Sequence, residues 1–425
     1  MNELTTWLRR SVGVAAWLVA AGLHGCGGSD GGQDAPAANH FRHAHVLAAE
    51  DQQPESVPRS ANPAGVGISM LSKSLVEASP NLSTGWTPQQ FQQAYNVPLT
   101  QQVNKPSGYG IKVAIITAYH YANLQSDLNK WASHFNIKPI TLNIVNQAGN
   151  VTNTNWSLGT SVAVQMLNTV SPGATVYVIE AKSASQTDMK VAMQTAVNLG
   201  VNVISMPFGV NEAYAELQVQ LFSGNGVAWI APSGVDANPS FPATSADVVA
   251  VGGTTLSSVN PLVETAWADA GAGMSIYEQM PSFQMIPSVQ KPNTTAHRSV
   301  PDVAFNADPK YGAHIYSSVL GGWFVVGGTS VSTGFFTGVA AMVNSSRKFN
   351  SRPLISSNSK SSLSFQHGLY RLMSTNGGPT NSTVLHDVVD GYAGSGSYKA
   401  GPGYDIATGL GSLNVKNFID YMDTQ

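Results

Sequence analysis

The chain has 425 residues, which is enough for one large domain or two ordinary ones. Its formal net charge is −3 and only 11% of its residues are charged, so no strongly basic face of the kind that binds nucleic acid is expected. Apolar residues make up 43% of the chain, and its single cysteine excludes a disulfide within a monomer. Stability must therefore come from a large core and from any bound ion. We expect the protein to be a monomer.

The N-terminus has the pattern of an export signal. Two arginines precede an uncharged stretch from Ser11 to Leu23, which is too short to span a bilayer comfortably. The Leu-His-Gly-Cys26 sequence that follows resembles the bacterial lipoprotein signal, in which the cysteine is acylated. The sequence predicts a signal peptide over residues 1–25 and a lipid anchor at Cys26 in the bacterial cell envelope, on the periplasmic or outer-membrane side. Ordinary cleavage with secretion, or an uncleaved signal anchor, is the alternative.

Residues 26–85 are predicted to form a flexible tether. From Gly27 to Gly65 this stretch contains few residues that could build a core. Three histidines, His40, His43 and His45, lie close together within it. They are compatible with a weak metal-binding tract or, more simply, with a solvated linker.

Apolar segments with the period of a strand or of a helix alternate through the rest of the chain. Strands are predicted at 111–117, 175–181, 201–209, 226–234, 247–253 and 322–328, and helices at 87–98, 123–135, 157–170, 187–200 and 332–344. Such alternation predicts a doubly wound α/β domain over residues 86–425, with a mostly parallel sheet flanked by helices. The stretch from Gly271 to Arg298 is predicted to be an irregular surface excursion.

Ser330 lies in the sequence Gly-Gly-Thr-Ser, between the last predicted strand and the last predicted helix. At the start of a helix, free backbone N–H groups favour developing negative charge, so this serine could be a nucleophile. It could equally be a plain helix N-cap. Because serine is a poor nucleophile without a base beside it, the rest of the chain must decide.

Four stretches in the correct order show a specific resemblance: 241–256, 300–312, 321–333 and 400–414. They are similar to segments of the sedolisins, which are serine-carboxyl peptidases with a subtilisin-like fold. The similarity runs from about Trp86 to the end of the chain. It implies that Ser330 occupies the position of the nucleophile.

The resemblance also implies a glutamate that activates the serine, and an aspartate four residues later on the same helix face that orients the glutamate. Counting back from Pro172, these positions are Gly159 and Ala163, and neither carries an acid. Between Asp127 and Glu180 there is no Asp or Glu at all, so no shift of the alignment by one helical turn restores one.

A second aspartate of the family helps to form the oxyanion hole, and its position falls on Val235. The neighbouring Asp236 is a weak substitute if the loop shifts by one residue, and otherwise an ordinary turn residue. The predicted site therefore lacks its carboxyl groups. The remaining route to activity is a relocated acid or base, for which the candidates are His120, Glu212, Asp302 and Asp308.

The C-terminal segments His-Asp-Val-Val-Asp-Gly and Gly-Pro-Gly-Tyr-Asp match the calcium site of the family. The resemblance implies one Ca²⁺ ion, and its ligands would come from the positions Asp387, Val388, Gly401, Gly403 and Asp405. Two carboxylates with backbone carbonyls suit a hard cation. Without the resemblance, the same pattern is that of a glycine-rich turn with two exposed acids.

The sequence leaves three functions open. The sequence favours a catalytically defective pseudopeptidase with a peptide- or protein-binding role over an active serine endopeptidase that uses Ser330 with a relocated acid or base. An envelope scaffold is the third possibility.

Overall fold

A computed structural model of the chain describes residues 42–43, 47–48, 85–99, 107–212, 222, 224, 226–235, 238–373 and 383–425. All of them belong to one compact unit, Ala38–Gln425. The predicted signal peptide and Cys26 lie outside the described residues.

Eight α-helices are formed by the described residues. They are α1 (Pro88–Ala94), α2 (Leu124–His134), α3 (Thr154–Val170), α4 (Gln186–Asn198), α5 (Pro287–Gln290), α6 (Thr329–Phe349), α7 (Phe365–Tyr370) and α8 (Val415–Asp423). Within the same ranges, none of these helices has the length and apolar character needed to cross a bilayer.

The strands of the described residues divide into one large sheet and several small ones. They are β1 (Arg42–His43), β2 (Leu47–Ala48), β3 (Lys112–Ala118), β4 (Leu142–Asn146), β5 (Thr175–Ala181), β6 (Val203–Ser205), β7 (Phe208–Asn211), β8 (Ala228–Pro232), β9 (Ser240–Phe241), β10 (Val249–Val259), β11 (Leu262–Ala266), β12 (Gly273–Gln279), β13 (His297–Val300), β14 (Val303–Asn306), β15 (Ala313–Ser317), β16 (Gly322–Gly327), β17 (Leu385–His386), β18 (Tyr392–Ala393), β19 (Tyr398–Lys399) and β20 (Ser412–Leu413).

The large sheet has eight strands in the order β11-β10-β8-β6-β3-β5-β4, with β14 also paired to β10. Every pairing in it is parallel except that of β10 with β11. The doubly wound, mostly parallel architecture predicted from the sequence is confirmed.

Both faces of this sheet are covered, which explains why its strands are continuous apolar runs. In β3, Val113 and Ile115 face a core built with α3 and α6, whereas Ala114 and Ile116 face a second core built with α4. The alternation follows from the two-residue period of a strand.

Three local predictions need correction. The predicted strand at 201–209 is two strands, β6 in the large sheet and β7 in a separate one. The predicted strand at 322–328 is β16, and it pairs with β15 and β2 outside the large sheet. The excursion predicted at 271–298 contains the antiparallel pair β12–β13. The apolar character of residues 201–209 and 322–328 correctly predicted that they are buried strands. It does not specify which strand each one pairs with.

Candidate functional site

Ser330 is the second residue of α6. The helix begins after Gly328, whose φ of +108° is a conformation that favours glycine. The N–H of Gly328 donates to the carbonyl oxygen of Ala307 at 2.6 Å, which fixes the turn between β16 and the helix. Because Gly328 is the N-cap residue, the interpretation of Ser330 as the helix cap is wrong. Ser330 instead lies in the first turn, among the backbone N–H groups that have no intrahelical acceptor.

Helix α6 packs directly on α3 through two glycines. A Cβ added at Gly334 would lie 2.9 Å from Cβ of Met166 and 3.2 Å from the carbonyl oxygen of Ala163. A Cβ added at Gly338 would lie 2.5 Å from Cβ of Val170. Since contacts on both helices advance in the same direction, the two helices are parallel and in backbone contact.

This packing fixes which residues of α3 lie level with Ser330. Ser330 is one turn before Gly334, and Gly159 is one turn before Ala163, so Gly159 and Ser330 share one level of the helix pair. By this register, the two positions inferred from the sequence lie on the turns of α3 that are level with the first two turns of α6. Gly159 and Ala163 are buried and carry no group that can accept a proton. Asn155, one further turn towards the N-terminus, carries an exposed amide.

Polar groups near this end of α3 are hydroxyls that bond locally. Thr160 donates to the carbonyl oxygen of Trp156 at 2.7 Å, and its hydroxyl lies 2.6 Å from that of Thr117. A neutral hydroxyl is a poor general base. The helix that faces Ser330 therefore supplies no base.

The predicted oxyanion loop lies directly beside the serine. The hydroxyl of Thr329 donates to the carbonyl oxygen of Gly234 at 3.0 Å, and the N–H of Gly271 donates to the same oxygen at 2.8 Å. Val235 follows, half-buried against an alanine-rich cluster that includes Ala270. The position that the resemblance assigns to the oxyanion aspartate thus carries a packed apolar side chain. Asp236 lies outside the described residues.

His120 is the best placed of the relocated candidates. It follows β3 at the carboxyl end of the sheet, where sites of α/β proteins form. Its Nδ1 lies 2.7 Å from Oε2 of Glu180, which is fully buried, whereas the side chain of His120 is 23% exposed. The other oxygen of Glu180 accepts the N–H of Tyr121 at 3.0 Å. A carboxylate held in this way orients the imidazole ring.

Asp302 is a structural residue. Both of its carboxylate oxygens accept guanidinium N–H groups of Arg298 at 2.7 Å, and both side chains are fully buried. Tyr370 donates a further bond at 2.9 Å, and the N–H of Ala250 another at 2.8 Å. The carboxylate raises the pKa of Arg298 above its usual value, against the opposing effect of burial. Asp302 therefore compensates a buried charge.

The two remaining candidates are also held by local partners. Glu212 accepts the hydroxyl of Ser275 at 2.6 Å and the N–H of Ile276 at 2.9 Å. Asp308 accepts the hydroxyl of Thr255 at 2.7 Å and caps a short 3-10 helix. These contacts stabilise loops, and they give neither acid an independent role in catalysis.

The C-terminal loops bring the two predicted calcium carboxylates together. Asp387 accepts the N–H of Gly403 at 2.8 Å, and Asp405 accepts the N–H of Gly401 at 2.9 Å and that of Thr408 at 2.8 Å. Burial raises the pKa of Asp405 to about 6, and the charge of Asp387 acts in the same direction. Burial also raises the pKa of Asp387.

Such a pair fits a divalent cation. Two desolvated carboxylates repel each other, and a cation between them would offset that repulsion. In the described part of the chain, no N–H or O–H donates to the carbonyl oxygens of Val388, Gly401 and Gly403. These oxygens are therefore available as ligands. Among the described residues there is no cluster of three or more His, Cys, Asp or Glu side chains, so any ion here depends on backbone oxygens.

Comparison with known protein families gives the same picture as the geometry of α6, α3 and the loop beside them. The subtilase family profile matches residues 110–359, which is more than half of the chain. This chain belongs to the subtilase family. Within it, the matched region of this subtilase is similar to that of the sedolisins.

Three relatives show this similarity. Sedolisin from Pseudomonas sp. (strain 101) is 32% identical over 207 residues, which cover 45% of this chain and 31% of the relative. Kumamolisin from Bacillus sp. (strain MN-32) is 35% identical over 188 residues, covering 40% and 30%. Tripeptidyl-peptidase 1 from Rattus norvegicus is 33% identical over 187 residues, covering 41% and 31%. The chain thus aligns with less than one third of the length of each relative.

The structure of Pseudomonas sedolisin, a serine-carboxyl proteinase complexed with two molecules of pseudo-iodotyrostatin, matches with a TM-score of 0.66 and 23% identity. The match covers 80% of this subtilase and 99% of that chain. The subtilisin-like fold predicted from the sequence is confirmed, as is the resemblance to sedolisins. The loss of the catalytic acids, the ion and the lipid anchor stay predictions.

One feature of the site was missed by the sequence analysis. The tether prediction for residues 26–85 did not include the pairing of Arg42–His43 and Leu47–Ala48 with β7 and β16. Two-residue strands leave no periodic signal, because pairing depends on backbone groups that nearly every residue has.

Proposed function

We propose that this subtilase is an exported pseudopeptidase, in which a sedolisin-like cleft binds an extended peptide or protein segment without cleaving it. The register between α3 and α6 carries the proposal. The contact between Gly334 and Ala163 supports a register in which Gly159 is level with Ser330, and neither α3 position bears an acid. Ser330 is also fully buried, so a peptide carbonyl has no direct approach to it in this conformation.

Loss of the base removes most of the rate of a base–nucleophile unit, whatever the state of the serine. The strand edges beside the site would still pair with an extended chain, because main-chain hydrogen bonds need no catalytic group. Binding therefore survives the loss of the acids more readily than hydrolysis does.

The test is cleavage of a mixed peptide library by the full chain from pH 3 to pH 8 with calcium present, with Ser330→Ala as the matched control. We expect the two proteins to give the same product profile. Products that depend on Ser330 would overturn the proposal, provided that both proteins show the same circular dichroism.

The alternative is an active serine endopeptidase with a relocated base, and the contact between His120 and Glu180 is what favours it. In that case His120→Gln would abolish the Ser330-dependent products. Glu180→Gln would weaken the same activity without removing the ring.

We further propose that one Ca²⁺ ion binds at the C-terminal loops, with Asp387 and Asp405 as carboxylate ligands and Val388, Gly401 and Gly403 as carbonyl ligands. When bound, the ion would supply charge neutralisation and order to the loops. The shared burial of the two carboxylates supports this proposal.

A lipid anchor at Cys26 is proposed on the sequence pattern alone, with the cell envelope as its location. Incorporation of labelled palmitate into the expressed protein, compared with Cys26→Ser, tests it. Equal labelling of both proteins would remove the anchor from the proposal.

A further inference from the structure

Two exposed aromatic side chains lie at the C-terminal end of α6. Tyr109 is 58% exposed and Phe349 is 63% exposed. The hydroxyl of Ser345 donates to the carbonyl oxygen of Tyr109 at 2.8 Å, and Phe349 follows Ser345 by one turn on the same helix face. The helix therefore places Phe349 beside the loop that carries Tyr109.

Basic side chains surround these two rings. The Nζ of Lys348 donates to the carbonyl oxygen of Gly110 at 2.7 Å, so this charge is held against the same loop. Arg352 is exposed just beyond the end of α6, and Lys112 is exposed at the start of β3. The aromatic-basic patch consists of Tyr109, Lys112, Lys348, Phe349 and Arg352.

An acid also lies near the patch, but its charge is offset. Asp423 accepts an amide N–H of Asn350 at 2.6 Å. Its charge acts on Arg347, whose buried side chain points away from solvent and donates to the carbonyl oxygen of Pro353 at 2.7 Å. The three exposed cations of the patch are therefore an excess of positive charge.

This local charge is opposite in sign to that of the whole chain, which is −3. The protein therefore has no general attraction to an anionic surface. Because the Debye length is about 8 Å at physiological ionic strength, such a surface interacts mainly with the side chains that face it. Each Lys or Arg near an anionic bilayer strengthens binding about fivefold, and aromatic rings partition into the interface between headgroups and acyl chains.

The patch and Ser330 lie at opposite ends of α6. This helix has 21 residues, and at about 1.5 Å per residue it spans about 30 Å. Strand β3 runs in the same sense, since Lys112 begins it and His120 follows its carboxyl end. A surface that contacts the patch would leave the serine end of the domain facing away from it.

We propose that the aromatic-basic patch docks the domain on an anionic lipid bilayer, with its two rings in the headgroup region and its three cations against anionic headgroups. Single exposed apolar side chains are ordinary on protein surfaces. Two rings that share one end of the domain with three cations match both the charge and the polarity gradient of a bilayer surface. The docking depends neither on the state of the catalytic site nor on acylation of Cys26.

The single cysteine of the chain allows a site-specific test. In a full-length Cys26→Ser background, either Asn350→Cys, beside Phe349, or Gln194→Cys, on an exposed position of α4, carries an environment-sensitive fluorophore. With vesicles that contain phosphatidylglycerol, we expect a blue shift of the emission at position 350 only. Equal responses at the two positions, or no response at position 350, would overturn the proposal. A shift that grows with protein concentration in the absence of vesicles would assign the patch to a second copy of the chain instead.

The contribution of the cations is measured by sedimentation of the Cys26→Ser protein with vesicles of phosphatidylcholine with and without phosphatidylglycerol. Lys348→Gln with Arg352→Gln should weaken binding to the anionic vesicles at least about tenfold. The matched control, Lys190→Gln with Lys291→Gln, removes two exposed cations elsewhere and should change binding less than about twofold. Equal losses in both variants would show that total charge governs binding, and unchanged binding in both would also overturn the proposal.

The contribution of the rings is measured in the same assay. Tyr109→Ser with Phe349→Ser should weaken binding at least about tenfold, because less apolar surface enters the interface. Val191→Ser, at a 52% exposed position of α4, is the control and should bind as the parent does. Equal affinity of the double variant and the parent, with matching circular dichroism, would remove the rings from the docking surface and overturn the proposal. Vesicle binding and peptide cleavage are separate measurements, so the proposed function and the docking can fail independently.

Discussion

Gly334 on α6 lies against the backbone of Ala163 on α3, and a Cβ at Gly334 would be 3.2 Å from the carbonyl oxygen of Ala163. This contact sets the register of the two helices, and with it the neighbours of Ser330.

Gly334→Val should destabilise the fold. The new side chain would meet Met166 at a distance that no real Cβ contact shows, and such overpacking typically costs ~1–3 kcal/mol. Urea unfolding measures the difference. Gln194→Val, on an exposed position of α4, is the control and should change the unfolding free energy by less than ~1 kcal/mol. Equal effects of both substitutions would show that the helices are not in close contact.

Asp302→Asn should destabilise the fold by ~3–5 kcal/mol, because it leaves the guanidinium of Arg298 buried without its counter-charge. The exposed pair Lys416–Asp420 has the same four-residue spacing and a similar distance of 2.6 Å. Asp420→Asn is therefore a matched control and should change the unfolding free energy only slightly. Similar effects of the two variants would contradict the structural role of Asp302.

Calcium should raise the thermal unfolding midpoint of the full chain, and a chelator should reverse the rise. A ligand at 100 times its Kd stabilises the native state by about 2.7 kcal/mol. Asp405→Asn should abolish the response, since it removes one of the two carboxylates, whereas Asp390→Asn, an exposed acid of the same region, should keep it. An undiminished response in Asp405→Asn would place the ion elsewhere. Magnesium should have a smaller effect, because it demands a stricter geometry.

Glu278 should make the fold less stable as the pH rises. Burial raises the pKa of this half-buried carboxyl above its usual value, so the native state holds its proton more tightly than the unfolded state does. Its favourable contribution is complete below the unfolded pKa and is lost as the pH rises through the folded pKa. The difference in unfolding free energy, Glu278→Gln minus the unsubstituted chain, should therefore become more positive from pH 4 to pH 7. A constant difference over that range would contradict the shift.

Much of the fold follows from the sequence alone. Strands β3, β5 and β8 are covered on both faces, so their apolar runs were recognisable without any knowledge of their partners. Helix α1 begins at a capping box of Thr87 and Gln90, and this signal is local. The absence of Asp and Glu between Asp127 and Glu180 is also a property of the sequence, and it is what first indicated a defective site.

Other features were decided by tertiary structure. The register that puts Gly159 and Ser330 at the same height along the helix pair depends on two glycines of α6 that contact α3. Gly328, and not Ser330, is the N-cap of α6. This depends on the hydrogen bond from Gly328 to Ala307, which lies in a different loop. The pairing of Arg42 and Leu47 with distant strands depends on edges that exist only after the domain has folded. Periodicity along a chain reports how much of a segment is buried, but the choice of partner comes from shape and from backbone groups that are alike in nearly every residue.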